Sequence, residues 1–250
     1  MDIEKYLKRI NYSGSTEPTL EVLNNLHLTH LYHVPFENLD IHNQTPIELH
    51  LGKIYEKVVI NHRGGFCYEL NGLFYVLLRS IGFDAKMVSA RVFMSNGEYS
   101  PEYDHLMNVV NINGEEYLTD IGYGKFSFTP LKLNIDEIQH DKSADYVIDE
   151  FEGDYLRVCR SDNGNKTPIF IFKKSARKFS EFEEMCRFHQ TNPISPFTKK
   201  RFITLPNENG RNTILGNTLK QTIASSTTET EIENESEFKK ILKSIFGVEI

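Results

Sequence analysis

The sequence offers no long apolar run, few cysteines and no surplus of positive charge, and each shortage removes a class of function. Its most continuous apolar segment, around Leu73 to Leu78, falls far short of the roughly 18 residues that a membrane-spanning helix requires. A transmembrane role is excluded. The N-terminal MDIEKYLKRI is charged and helically patterned and lacks both the apolar stretch and the cleavage site of a secretory leader, so a cytoplasmic protein is expected. Three widely spaced cysteines, Cys67, Cys159 and Cys186, form no C-x-x-C pair, which fits a reducing compartment and argues against a cysteine-rich zinc site. With 28 Lys and Arg against 35 Asp and Glu, the net charge of -7 disfavours a phosphate-binding footprint, and nucleic acid is not an expected partner.

What is present is a globular composition, 39% hydrophobic over 250 residues. A chain of this size buries roughly 70 to 75% of its unfolded surface, enough for one large core or several smaller ones. The first ninety residues read as helices. Leu20, Leu23, Leu26 and Leu31 carry an approximate 3.6 period after Thr16-Glu17-Pro18, a second helix opens near His50, and Phe66, Leu70, Leu73, Phe74, Leu77 and Leu78 define a third that stops at Ser80-Ile81-Gly82.

From about Ala85 the period changes to two. Lys86 to Phe93, Leu106 to Ile112, Tyr117 to Ile121, Tyr155 to Cys159 and Pro168 to Phe172 read as strands of an antiparallel barrel or strongly curled sheet. Ser180 to His189 reads as helix or turn. Three further strands, Arg201 to Leu205, Gly210 to Leu215 and Thr218 to Ile223, precede a Ser/Thr/Glu-rich stretch at 225–237, read as surface or linker, and a closing helix, Glu235 to Phe246. The pattern predicts an α+β chain of three domains with boundaries near 88 and 195: 1–88 helical, 89–195 barrel and 196–250 a third unit.

Chemistry concentrates at Arg63-Gly64-Gly65-Phe66-Cys67. The two glycines allow a tight approach to a helix whose first N–H groups favour negative charge, so a cysteine there suits a nucleophile; a buried core cysteine fits position and glycines about equally well. The Asn113-Gly114 turn shifts that balance. If those two residues form the hairpin turn, opposed positions pair Ile112 with Glu115, and His105 and Asp120 become diagonal neighbours on one face. A carboxylate beside an imidazole fixes its tautomer and leaves the other ring nitrogen for a thiol, giving two members of a Cys-His-Asp triad; a loop-organising hydrogen bond is the simpler alternative.

Motifs in order along the chain, VPFENLDI, RGGFCYELN, DHLMNVV, LTDIGYG, NPISPF and GR-x-x-x-LGNTL, resemble those of the arylamine N-acetyltransferases over nearly its full length. That resemblance implies a helical bundle, a β-barrel and an α/β lid. It implies acetyl transfer from acetyl-CoA, as co-substrate, to an arylamine, arylhydrazine or N-hydroxyarylamine through an acetyl-cysteine thioester, with Cys67 as nucleophile, His105 as proton carrier and Asp120 as its orienting carboxylate. No permanently bound cofactor and a monomeric state are expected with it. Phe36 and Tyr123 match aromatic positions of the acceptor pocket, Phe93 and Phe126 are weaker candidates, and Gly124 is a candidate coenzyme A contact. Glu37, Arg63 and Asn71 resemble a polar network that braces the cysteine loop. Departures at Leu118-Thr119, Ile121 and Tyr123 bear on aromatic preference rather than chemistry.

Other residues read as bland. His27, His30 and His33 recur every three positions, but no nearby Cys, Asp or Glu completes a metal set, so a structural or solvent-facing role is expected and no metal is assigned. Gly122 and Gly124 lack the strand-helix context of a dinucleotide loop. Lys199-Lys200-Arg201 reads as surface, with coenzyme A phosphates a minor reading. Cys159 and Cys186 lack the glycine and helix-start setting of Cys67. Two other functions compete: a transglutaminase-like cysteine protease or amidase, which needs a groove for a peptide, and a silent binding protein, against which the complete Cys67, His105 and Asp120 set speaks.

Overall fold

The computed structural model describes residues 1–224 and 226–250. The helical part comprises α1 (Ile3–Arg9), α2 (Leu20–His33), a short strand β1 (Phe36–Glu37), α3 (Leu39–His42), α4 (Leu51–Tyr55) with a π-helical turn (Glu56–Ile60), and α5 (Cys67–Ser80). The Thr19 hydroxyl accepts the Val22 N–H and so starts α2 one residue after the expected Pro18. α5 is the helix that the Leu70/Leu73/Phe74/Leu77 repeat predicts. Gly82, at φ +99, lies just beyond its end in the left-handed region that glycine favours.

Eight antiparallel strands follow: β2 (Asp84–Val92), β3 (His105–Ile112), β4 (Glu115–Thr119), β5 (Leu131–Lys132), β6 (Gln139–His140), β7 (Asp145–Phe151), β8 (Tyr155–Asp162) and β9 (Asn165–Phe172). They are ordered β5-β4-β3-β2-β9-β8-β7-β6 and curl around Val88, Met107, Leu118, Tyr146, Phe170 and Phe172, a nearly closed barrel as the period-two runs predict. Asn113 and Gly114 both take positive φ, 54 and 89, as a two-residue hairpin turn demands. The ladder runs from Ile112↔Glu115 to Asn108↔Thr119, the expected register. β5, β6 and β7 were not visible in the pattern: the first two span two residues each, and β7 carries charge at Asp145, Asp149 and Glu150.

A 3-10 turn (Phe179–Phe182), α6 (Glu183–Thr191) and α7 (Pro196–Lys199) lead to β10 (Phe202–Asn207), β11 (Gly210–Leu215), β12 (Thr218–Ile223), β13 (Ser226–Glu231) and α8 (Glu235–Ile241) with a π turn (Leu242–Phe246). The second sheet, β1-β10-β11-β12-β13, packs Ile203, Ile214 and Leu219 against Phe238, Leu242 and Phe246. Residues 226–231, expected as surface or linker, are surface but ordered as an edge strand on β12. Every position of β13 is exposed, so no apolar alternation could betray it. Ser225, in the same stretch, lies outside the described residues. Among the described residues no helix is long and apolar enough to cross a membrane.

The loop that precedes Cys67 is held by a buried charge cluster. Arg63 donates through Nε and Nη2 to Glu37 Oε1 at 3.0 and 2.8 Å and through Nη2 to Asp40 Oδ1 at 2.8 Å. Lys57, on the π turn, places Nζ 2.9 Å from Glu69 Oε1 and 2.7 Å from Asp40 Oδ2. Glu69 in turn accepts the Phe66 N–H at 3.1 Å. The expected Arg63–Glu37 pair is thus part of a larger cluster with Glu37 wholly buried. Burial opposes the Lys57 charge, but Glu69, Glu37 and Asp40 outweigh it and hold the ammonium above the ordinary lysine range. Gly64 fits here because a Cβ would lie 2.1 Å from the Pro35 carbonyl oxygen. Lys57→Met leaves those carboxylates short of a buried cation and should cost about 3 to 5 kcal/mol. A urea midpoint in Lys57→Met within experimental error of wild type would contradict the bracing role.

Candidate active site

α5 carries its polar residues to a single place because positions four apart stack on one helix face. Cys67 opens the helix and Asn71 stands one turn on. Phe66 at the N-cap has no side-chain acceptor, and among the described residues no side chain caps the first-turn N–H groups around Cys67. Between them Tyr68 shares its hydroxyl proton between the Tyr103 and Asp104 carbonyls, at 2.8 and 2.9 Å, and so pins the residues that run into His105.

His105 Nε2 lies 2.6 Å from Asp120 Oδ2, both side chains almost fully buried. The expected contact is made, although by a different route. The β3–β4 ladder stops at Thr119, and Asp120 reaches back from the loop beyond it, while His105 pairs with Ala90 on β2. Asn71 Nδ2 donates to Asp120 Oδ1 at 2.8 Å and to the Leu106 carbonyl at 2.7 Å, and its Oδ1 accepts the Ile121 N–H at 3.0 Å. The Gly122 N–H adds a bond to Asp120 Oδ1 at 2.9 Å. Gly122 lies so close over α5 that a Cβ would come within 2.8 Å of both Cys67 Cα and Asn71 Nδ2.

His27 supports the same carboxylate residue from below. Its Nε2 lies 3.4 Å from the Asp120 N–H and its Nδ1 3.1 Å from the Phe128 carbonyl, so the ring is neutral with the proton on Nδ1. Burial lowers its pKa in agreement. A repeat of three histidines gave no hint of this, since the partner lies 93 residues away. His30 Nε2 meets the Tyr6 hydroxyl at 3.1 Å and His33 Nδ1 the Thr29 carbonyl at 2.8 Å, so the three rings serve three separate local structures.

The electrostatics at the sulfur depart from expectation. Burial pushes the Cys67 thiol well above the ordinary cysteine range, and the Asp104 and Asp120 carboxylates push the same way; the Leu106 N–H favours the thiolate without offsetting them. The helix end therefore does not ionise Cys67 unaided. A thiolate there is disfavoured without a proton acceptor, and His105 lines the same cavity with its Nδ1 unspent on Asp120. Cys159 and Cys186 are buried in the barrel and on α6, and burial raises both, the latter to about 12.

The cavity above Cys67 measures about 740 Å³. Phe36 and Tyr123 line it, as the sequence predicts, and Tyr123 meets His105 edge to face at 5.3 Å. Phe93 and Phe126 do not. Phe93, just beyond the end of β2, turns to Tyr99 at 5.2 Å, and Phe126, in the loop between β4 and β5, is buried in the barrel against Tyr146 at 5.0 Å. Their places are taken by Val92, Met185, Phe197 and Phe202, of which only Phe197 falls in a motif noted above. Gly124 lines an adjoining cavity of about 650 Å³ with Tyr123, Lys125 and Lys200.

A family model described as N-acetyltransferase matches residues 19–250. The chain is 30% identical to human arylamine N-acetyltransferase 1 and 32% identical to rat arylamine N-acetyltransferase 2, in each case over 100% of this chain and 95% of the relative. Its fold superposes on that of Mycobacterium marinum arylamine N-acetyltransferase in complex with CoA with a TM-score of 0.89 and 28% identity, covering 99% of this chain and 93% of the other. With its barrel, its helical part and its second sheet, the chain belongs to the arylamine N-acetyltransferase family.

Proposed function

We propose that the protein acetylates the nitrogen of an arylamine, arylhydrazine or N-hydroxyarylamine with acetyl-CoA, through an acetyl thioester on Cys67. The observation that carries the reading is the 2.6 Å contact between His105 and Asp120 at the wall of a cavity that also holds Cys67. With Nε2–H directed at the carboxylate, Nδ1 is the free base. In the first half-reaction the Cys67 proton passes to Nδ1 as the sulfur attacks the acetyl carbonyl, and first-turn N–H groups of α5 stabilise the oxyanion. Collapse breaks the bond to the coenzyme A sulfur, which takes the proton from His105. In the second, the amine nitrogen attacks the thioester, His105 accepts its proton, and the Cys67–carbonyl bond breaks. Asp120 orients the ring throughout and stabilises its charge. Phe36 and Tyr123 present ring faces to a flat acceptor.

Coenzyme A brings phosphates, and a basic cleft adjoins the site. A cavity of about 630 Å³ is lined by Lys125, Lys142, Arg160 and Arg211, and it shares Lys125 with the cavity of Tyr123 and Gly124. Burial lowers Arg211 to about 10, with no carboxylate among the groups that act on it. We assign this cleft to the phosphates and Gly124 to the passage of the pantetheine arm. Lys200 fits the same path, whereas Arg201 pairs with Glu235 at 2.8 Å and lies over the Phe238 ring. The hydrolase reading is not favoured, since the whole chain matches acetyltransferases. Three free thiols fit a monomer in the reducing cytoplasm.

Brief exposure to acetyl-CoA should add one acetyl group, mapped by peptide mass spectrometry to Cys67; a label on Cys159 or Cys186, or one that survives Cys67→Ala, would overturn the assignment. Because burial raises the Cys67 thiol, His105→Gln should leave its alkylation by iodoacetamide slow until the pH passes the ordinary cysteine value of about 8.5, whereas wild type should react at neutral pH. Asp120→Asn should slow single-turnover acetylation by about 10²- to 10⁴-fold with the circular dichroism unchanged, and the double variant should be scarcely slower than His105→Gln.

Arg211→Gln and Lys125→Gln should each raise the KM for acetyl-CoA about tenfold while leaving p-nitrophenyl acetate, a donor without phosphate, unaffected. An equal loss with both donors would remove the phosphates from that cleft.

A further inference from the structure

The cavity holds a second imidazole–carboxylate pair that the mechanism above does not use. His189 on α6 sets Nε2 3.0 Å from Asp104 Oδ1, with the side chains 6% and 16% exposed, and both residues line the cavity of Cys67 and His105. The contacts around this ring accommodate a proton on both nitrogens. Its Nδ1 lies 3.2 Å from Ser195 Oγ, which also accepts the Phe197 N–H at 3.3 Å and lies 3.2 Å from the His189 carbonyl. That carbonyl stands in the last turn of α6, where no intrahelical donor remains, and it can take the single hydroxyl hydrogen. Nδ1 then donates to Oγ and Nε2 to the carboxylate, and a ring that donates from both nitrogens is an imidazolium.

Asp104 directly precedes His105, and after burial its charge is the largest influence opposing ionisation of Cys67. Tyr68 fixes its backbone through the bond to the Asp104 carbonyl. The other titratable groups around the pair are Asp120, which acts on the sulfur in the same sense as Asp104, with Cys186, Tyr68, Tyr123 and His105 itself. Tyr68 and Phe197 pack on the His189 ring at 6.2 and 5.2 Å, and the Asp104 side chain keeps an exposure of 16%.

We propose that His189 is a positioning residue for charge: bound to Asp104 as an ion pair, it cancels a carboxylate that would otherwise face the Cys67 sulfur bare, and so lets negative charge develop there. The inference rests on the reading of Cys67 as the nucleophile. It makes the polar wall of the cavity two coupled pairs, one that moves the proton and one that neutralises the surroundings of the sulfur.

The test uses the full chain with His189→Gln, Asp104→Asn and the double variant, and follows the pH midpoint of Cys67 alkylation by iodoacetamide beside the single-turnover rate of acetylation. His189→Gln keeps a donor but not the charge. It should move the alkylation midpoint up by about one pH unit and slow acetylation about tenfold at neutral pH. Asp104→Asn should move the midpoint down, and in the double variant it should return the His189→Gln midpoint to the wild-type value or below. An unmoved midpoint in folded His189→Gln, or a double variant no better than the single, overturns the proposal, since a merely structural histidine would slow the reaction without a shift that Asp104→Asn reverses. If His189→Gln does not fold, an upward or absent shift in Asp104→Asn overturns it alone. Alkylation needs no acetyl-CoA, so a shift without any acetylation would refute the proposed function and leave this inference standing.

Discussion

The side-chain amide of Asn71 is the joint between helix and barrel. It is wholly buried, and its two donors and its acceptor are spent on the Leu106 carbonyl, the Asp120 carboxylate and the Ile121 N–H. Its own backbone carbonyl accepts from Asn108 Nδ2 at 3.0 Å. An amide is the group that can do this, because it offers donors and an acceptor in one plane and has no charge to strand in an apolar interior. Every bond ends on the strands or loop that hold His105 or Asp120. Since Cys67 lies one turn earlier on the same helix, the position of the sulfur relative to the imidazole is set by a few rigid bonds rather than by packing alone.

Around that joint, burial and charge oppose each other. The start of α5 favours an anion, yet the site is dry enough that burial raises the thiol of Cys67, and two nearby carboxylates add to the effect. Behind the helix, Glu37, Asp40 and Glu69 are balanced only in part by Lys57 and Arg63, and burial pushes Glu69 up as well. Negative charge on the sulfur is thus disfavoured on its own, and coupling to His105 becomes the condition for reactivity in the reading given above. A water-poor cleft would also limit hydrolysis of a thioester formed there.

Much of this was legible in the sequence because it is local. The 3.6 period of Leu70, Leu73, Phe74 and Leu77 marks α5 to within a residue, and Asn113-Gly114 gives the register of the β3–β4 hairpin, although the loop beyond Thr119, not the ladder, brings Asp120 to His105. What was not legible depends on residues far apart in the chain. His27 serves Asp120, Lys57 serves Glu69 and Asp40, and His189 serves Asp104, and none of these pairings leaves a periodic trace. Phe93 and Phe126 lie outside the wall of the Cys67 cavity for a related reason: one sits just past β2 and the other in the loop between β4 and β5, and a strand period says nothing about the direction a loop side chain takes. β13 was missed in the opposite way, since a wholly exposed edge strand has no buried face to imprint a pattern.

The cavity divides into parts with different tolerances for change. Its polar groups Cys67, His105 and Asp120 come from the start of α5, β3 and the loop after β4, where backbone and side-chain bonds hold them. Its apolar wall comes largely from elsewhere, Met185 and Phe188 on α6, Phe197 on α7 and Phe202 on β10, joined by Ile194 at the rim, which is 70% exposed. Side chains on that wall can change size at the cost of packing only, whereas a shift of an ångström in the polar set would separate the imidazole from its carboxylate. Such a division lets the wall vary while the polar set stays fixed: the bonds that hold Cys67, His105 and Asp120 lie in the helix and barrel, and most of the apolar wall lies in the segment between the barrel and the second sheet.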